Sequence, residues 1–218
     1  MQTHFDLIVF DWDGTLMDSA AAIVHAIQAA SRDLGLPEPE EHRARHVIGL
    51  GLTDALQRAV PDLPEQEYPR MVERYRHHYL SRDHELTLFA GVREMMDELE
   101  RRGFRLAVAT GKSRLGLDRA LAHSGLGEYF HALRCADQCH SKPHPQMLEE
   151  LMAELGVPPE RTLMIGDTTH DLQMAKNAGT GGLGVSYGAH PPEALLALEP
   201  LACLDSVEEL RAWLLENA

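Results

Sequence analysis

The chain is poor in positive charge. Its 218 residues carry 20 Lys and Arg against 34 Asp and Glu, a formal charge of −14 with the histidines neutral. Nucleic acid or an anionic membrane as the main partner is excluded on that ground, since both need a basic face. Lysine is scarcer still: Lys112, Lys142 and Lys176 are the only three, so a lysine inside a motif stands out from background. The three cysteines (Cys135, Cys139, Cys203) are an odd number without the spacing of a disulfide framework. No uninterrupted apolar run exceeds five residues, against the ~20 that a membrane helix needs. Residues 1–5 lack the basic start and apolar stretch of a targeting signal. A folded cytoplasmic protein is expected. Oligomeric state is not readable.

What is present alternates. Short apolar runs separated by helical patterns read as βαβ units and a parallel sheet, with strands expected at 7–10, 105–109, 131–135, 162–165, 184–187 and 202–204. Several helices show their ends: 91–102 stops at Gly103, 145–155 starts at Pro145 and stops at Gly156, 171–178 stops at Gly179, and 206–209 has capping-box spacing. Residues 18–82 break the rhythm with helix after helix, at 20–33, 40–47, 53–59 and 65–82. The expectation is a doubly wound, Rossmann-like α/β core built from residues 1–17 and 83–218, with an inserted all-helical cap domain at 18–82.

Chemistry gathers at the ends of the strands, where open parallel sheets bind ligands. Asp11-Trp12-Asp13-Gly14-Thr15 follows the apolar run Leu7 to Phe10. One carboxylate there can attack or ligate while the next handles protons, although Asp-Gly is also a common solvated turn. Gly166-Asp167-Thr168-Thr169-His170-Asp171 follows another such run. A helix N-cap explains Asp167 but leaves Asp171 unexplained, and two acidic strand ends repel unless a cation lies between them. Mg²⁺, which prefers oxygen ligands, is the natural candidate. Thr110-Gly111 offers a hydroxyl and open backbone N–H groups to an anion, and Lys142 stands in a loop constrained by Pro143.

In that order and at those strand ends, Asp11-x-Asp13-Gly14-Thr15, Thr110-Gly111, Lys142 and Gly166-Asp167-x-x-x-Asp171 resemble the four motifs of the haloacid dehalogenase superfamily, and specifically its phosphatases with a helical cap. The resemblance covers nearly the whole chain. It implies a phosphatase acting on a small phosphorylated metabolite, with phosphoglycolate phosphatase as the nearest flavour. Asp11 is implied as the nucleophile that forms an aspartyl-phosphate, and Asp13 as the acid and then the base. Mg²⁺ is implied on Asp11, the Asp13 carbonyl and Asp167, with Asp171 beside it or orienting Lys142. Thr110, Gly111 and Lys142 are implied to hold the phosphoryl oxygens.

Departures from relatives narrow the reaction. Asp13 is the residue that dehalogenating relatives do not keep, and the cap lacks the lysine of phosphonate-cleaving ones. Ile23 and Leu52 stand where the nearest sugar-phosphate mutases carry His and Arg. Pyrophosphatase, mutase and a non-catalytic or receiver-like phosphate binder remain as alternatives. Substrate choice is expected in the cap, with Arg45, Gly49 and Gly51 as candidates, Arg43 and Arg74 beside them, and 49–53 as the specificity loop. A solvated helix face explains each arginine equally well. Three lookalikes fail on context. Thr110-Gly111-Lys112-Ser113 lacks the leading glycine of a phosphate loop, the glycines at 179–184 follow a helix rather than a strand, and Cys135, Cys139, His140 and His144 lack the paired spacing of a zinc site.

Overall fold

The computed structural model describes residues 5–218. Residues 1–4, part of the start read for a targeting signal, lie outside them. Six strands, β1 (Leu7–Phe10), β2 (Arg105–Thr110), β3 (Ala132–Cys135), β4 (Thr162–Gly166), β5 (Gly181–Val185) and β6 (Cys203–Leu204), form one sheet in the order β3-β2-β1-β4-β5-β6. Every pairing is parallel. The helices are α1 (Ala20–Asp33), α2 (Glu41–His46), α3 (Leu52–Ala59), α4 (Tyr68–Leu80), α5 (Val92–Arg101), α6 (Arg114–Ser124), α7 (Gln146–Leu155), α8 (Thr169–Ala178), α9 (Pro192–Leu196) and α10 (Val207–Asn217). None of them is long and apolar enough to cross a membrane.

The sheet is buried on both faces, and so its strands read as continuous apolar runs. Alternation decides which face each residue serves. Ile8, Phe10, Leu106 and Val108 pack with Val92, Met95, Leu117 and Leu210 from α5, α6 and α10. Leu7, Val9, Ala107 and Ala109 pack with Met147, Leu148, Leu151 and Met174 from α7 and α8. Burying each large side chain fully is worth about 1.5–3 kcal/mol, which fixes the register of β1 in the middle of the sheet. Between β1 and β2 the chain runs through α1 to α5; α5 packs on the sheet, whereas α1 to α4 close on their own cluster around Ile27, Leu56 and Met71.

One expectation shifts. The fifth strand spans Gly181–Val185 rather than 184–187, because small residues are needed where its neighbours approach. A Cβ on Gly181 would stand 3.0 Å from the Phe5 ring, and one on Gly182 3.3 Å from Ala175 of α8. The run that resembled a dinucleotide loop therefore begins a strand. The spacing read at 206–209 opens the last helix: Ser206 Oγ accepts from the Glu209 N–H at 3.2 Å, and the helix runs to Asn217. α6 and α9 were not expected; Ser113 caps α6 by accepting from the Gly116 N–H at 3.3 Å.

Candidate active site

Strand order reverses at β1, whose two neighbours are β2 and β4, so the crevice beyond the carboxyl ends of β1 and β4 is the switch point at which such sheets bind ligands. Phe10 pairs with Ile165 in register, and the Asp11 N–H donates to the Ile165 carbonyl at 2.9 Å. Both acidic motifs are thereby delivered to one place. The turn after Asp11 requires glycine at position 14, where φ is +82° and a Cβ would fall 2.2 Å from Asp167 Oδ2.

Asp11 is fully buried. Its Oδ1 lies 2.7 Å from Lys142 Nζ, and among the described residues neither of its carboxylate oxygens has a hydrogen bond of good geometry. Burial pushes the Asp11 carboxyl well above the usual range; Lys142 pulls it down, and Asp171 and Asp167 push it up again. Asp167 accepts from Thr15 Oγ1 at 2.9 Å and from the Ala189 N–H at 2.7 Å. Burial and then Asp171 raise its carboxyl to about 7. Asp171 closes a capping box with Thr168 at the start of α8: its Oδ2 accepts from the Thr168 N–H at 3.1 Å and from Thr168 Oγ1 at 2.6 Å. That fixes Oδ1 to accept from Lys142 Nζ at 2.7 Å. For Lys142, burial alone would lower the ammonium pKa, but Asp11 and Asp171 outweigh it and hold the charge.

One ammonium thus pairs with two of three clustered, buried carboxylates, Asp11 and Asp171. Oxygen atoms from Asp11, Asp167 and Asp171 all lie within 4.8 Å of one another, an all-oxygen donor set short of positive charge, which suits a hard divalent cation such as Mg²⁺. No hydrogen bond reaches the Asp13 main-chain carbonyl among the described residues. The Asp13 carboxylate lies elsewhere.

Asp13 turns toward the helices. Its Oδ1 accepts from Ser19 Oγ at 2.7 Å and from Lys112 Nζ at 3.0 Å, and its Oδ2 from Lys112 Nζ at 3.1 Å. Lys112 also donates to the Tyr79 hydroxyl of α4 at 2.9 Å and sits 4.7 Å from that ring's centroid. Burial would lower the Lys112 pKa, but Asp13 and then Tyr79 raise it on balance. Sequence reasoning passed over Lys112 as part of a false phosphate loop. The scarcity of lysine that singles out Lys142 applied to it equally.

Thr110 is fully buried, and its Oγ1 accepts from the Lys112 N–H at 3.2 Å. Gly111 lies directly under the loop between α2 and α3, since a Cβ there would meet the Leu50 carbonyl at 2.4 Å and the Gly49 carbonyl at 2.6 Å. A Cβ on Gly49 would stand 3.9 Å from Asp11 Oδ2, and the Gly51 N–H donates to Ser141 Oγ at 2.9 Å. The structure therefore brings Gly49 and Gly51 to the site. Arg45 is not brought there: it pairs with Glu41 one turn back at 2.9 Å on the surface, and Arg74 pairs with Asp33. Two histidines that sequence reasoning missed hold the loop down, because His170 Nε2 and His190 Nε2 both donate to the His46 carbonyl, at 2.8 and 3.1 Å. His190 Nδ1 accepts from the Thr169 N–H, so its ring is the neutral tautomer, and burial lowers it to about 4.

The comparisons with known proteins agree with this architecture. A family model described as haloacid dehalogenase-like hydrolase matches residues 8–185. The chain is 38% identical to "Probable phosphatase IndB" of Dickeya dadantii (strain 3937), over 94% of this chain and 91% of that protein. It is 32% identical to a phosphoglycolate phosphatase of Vibrio vulnificus over 100% and 99%, and 31% identical to the pyrophosphatase PpaX of Halalkalibacterium halodurans over 95% of each. Among solved structures, one titled as a "predicted phosphoglycolate phosphatase" from Haemophilus somnus matches with a TM-score of 0.85 at 28% identity over 97% of both chains. A hydrolase from Pseudomonas syringae shares the fold, with a TM-score of 0.89 at 22% identity over 97% of this chain and 98% of that one. Since the family model runs from β1 to the end of β5, the chain belongs to the haloacid dehalogenase-like hydrolases and is a hydrolytic enzyme among relatives named as phosphatases.

Proposed function

We propose that the protein is a Mg²⁺-dependent phosphatase that hydrolyses a phosphate monoester of a small metabolite through an aspartyl-phosphate on Asp11, in the manner of its phosphoglycolate phosphatase relatives, with α1 to α4 as its cap. The observation that carries this reading is the Asp11 carboxylate. It is buried at the switch point of the sheet with the Lys142 ammonium 2.7 Å from its Oδ1, where it can attack a phosphoryl group whose charge that ammonium offsets.

Asp11 attacks phosphorus and the ester P–O bond breaks. Asp13, protonated for this step, gives its proton to the leaving oxygen. The carboxylate that remains, beside Lys112 and Ser19, takes a proton from the water that attacks the phosphorus of the aspartyl-phosphate. Inorganic phosphate leaves and Asp11 is restored. Thr110, the Gly111 N–H and Lys142 hold the phosphoryl oxygens, and such charge stabilisation in a dry site is the main source of rate in phosphoryl transfer. Asp11, Asp167, Asp171 and the Asp13 carbonyl would hold Mg²⁺, whose chemistry is to neutralise charge on the transferring group. Purified protein should release phosphate from phosphoglycolate or p-nitrophenyl phosphate only with Mg²⁺, and the Asp11→Asn variant should release none. Turnover of pyrophosphate but of no monoester would favour the pyrophosphatase alternative.

A further inference from the structure

A cavity larger than the chemistry requires lies between α1, α3, α4 and the core. It is a cleft of about 900 Å³ that opens to solvent, within the ~300–1,000 Å³ of clefts that take drug-sized ligands. The helices are already seated on the core around it. Asp11 is fully buried beneath them, the Gly51 N–H reaches Ser141 Oγ, Lys112 reaches Tyr79, and the loop at Gly49 and Leu50 rests on Gly111. The cleft is present with these contacts made.

Asp13, Gly111 and Lys112 line the cavity. It therefore lies where an alcohol protonated by Asp13 would leave. Its lining is more apolar than polar, with Leu52 and Val72 from the helical side and Leu115 from the core beside the charged Arg76, Asp83 and Arg119. Two large apolar side chains that are exposed, Leu80 at 41% and Leu115 at 71%, both line it, and exposed apolar groups gathered in one place mark a binding surface. Tyr75 and Tyr79 lie nearly parallel along it, 5.8 Å apart with an interplanar angle of 17°, and present aromatic surface to a flat group. A two-carbon leaving group would cover little of this wall and leave the rest against water.

We propose that the alcohol half of the substrate is a bulky, mostly apolar group bearing a flat ring system, held in this cavity, and that the two-carbon ester is a poor substrate beside it. The proposal rests on the phosphatase reading above. The test compares kcat/KM, with Mg²⁺ present, for phosphoglycolate and for 2-naphthylmethyl phosphate, an alkyl ester without an activated leaving group. The bulky ester should be preferred by roughly tenfold or more, mainly through KM, a tenfold ratio being about 1.4 kcal/mol. Val72→Trp and Leu115→Trp narrow the cavity at half-buried and exposed positions that tolerate enlargement. Each should lower kcat/KM for the bulky ester roughly tenfold more than for phosphoglycolate. A preference for phosphoglycolate, or Trp variants that lower both esters alike, would overturn the proposal and leave the phosphatase reading standing. Hydrolysis of neither ester would overturn both.

Discussion

Replacing Lys112 by Met tests the role assigned to Asp13. The thioether fills nearly the same space against Tyr79, so the fold should survive, but both contacts to the Asp13 carboxylate, at 3.0 and 3.1 Å, are lost. Among the described residues, Ser19 Oγ at 2.7 Å remains as the side-chain donor to that carboxylate. A hydrogen bond to a charged group contributes about 1.5–3 kcal/mol, and each ~1.4 kcal/mol is a factor of ten in rate. The step that needs Asp13 as a carboxylate, attack of water on the aspartyl-phosphate, should therefore slow by roughly tenfold to a hundredfold, while formation of that intermediate is much less affected. In rapid-quench experiments the variant should show a burst of released alcohol close to one equivalent of enzyme, followed by slow turnover. Tyr79→Phe removes one bond donated by the Lys112 ammonium, of a kind worth about 1.5–3 kcal/mol, but leaves both contacts to Asp13 in place, so it should slow the reaction less than Lys112→Met does. A Lys112→Met enzyme with wild-type kcat and no burst would refute the reasoning.

Three further outcomes follow from the same geometry. Lys142→Met leaves Asp11, Asp167 and Asp171 buried without their counter-ion, and breaking a buried pair costs about 3–5 kcal/mol; calorimetry should show Tm lowered by roughly 10 °C and largely restored by added Mg²⁺. The Asp167 carboxyl, raised to about 7, must lose its proton before it can take a metal, so Mg²⁺ measured by titration calorimetry should bind more tightly at pH 8 than at pH 6, by up to roughly tenfold for each pH unit below 7. An affinity independent of pH would contradict that. Gly111→Ala drives a Cβ against the Leu50 and Gly49 carbonyls, so the loop cannot seat; activity should fall sharply while the melting of the sheet core, followed by far-UV circular dichroism, changes little.

The sheet was legible in the sequence because β1, β2 and β4 are buried on both faces and must be written as unbroken apolar runs. β5 was displaced because its first residues are glycines, chosen by the approach of Phe5 and Ala175, and packing by a distant partner leaves no local signature. Of the site, the strand-end positions of Asp11, Thr110, Asp167 and Asp171 could be read from spacing. Where each side chain points could not. The Asp13 carboxylate turns toward Lys112 and Tyr79, residues 99 and 66 positions away. The clasp of His170 and His190 on one carbonyl joins three separate segments. Arg45, attractive by composition, is held by a neighbour one helical turn back, a pairing that its spacing from Glu41 permitted but did not demand.

The most direct test traps the intermediate. Enzyme with Mg²⁺ and excess phosphoglycolate, or a larger alkyl phosphate, is quenched in acid during turnover, digested and mapped by mass spectrometry. One phosphoryl group on the peptide that carries Asp11, absent from Asp11→Asn enzyme, is expected. Phosphate released in full turnover with the label on no peptide or on a different residue, or hydrolysis undiminished in the Asp11→Asn enzyme, would contradict Asp11 as the nucleophile.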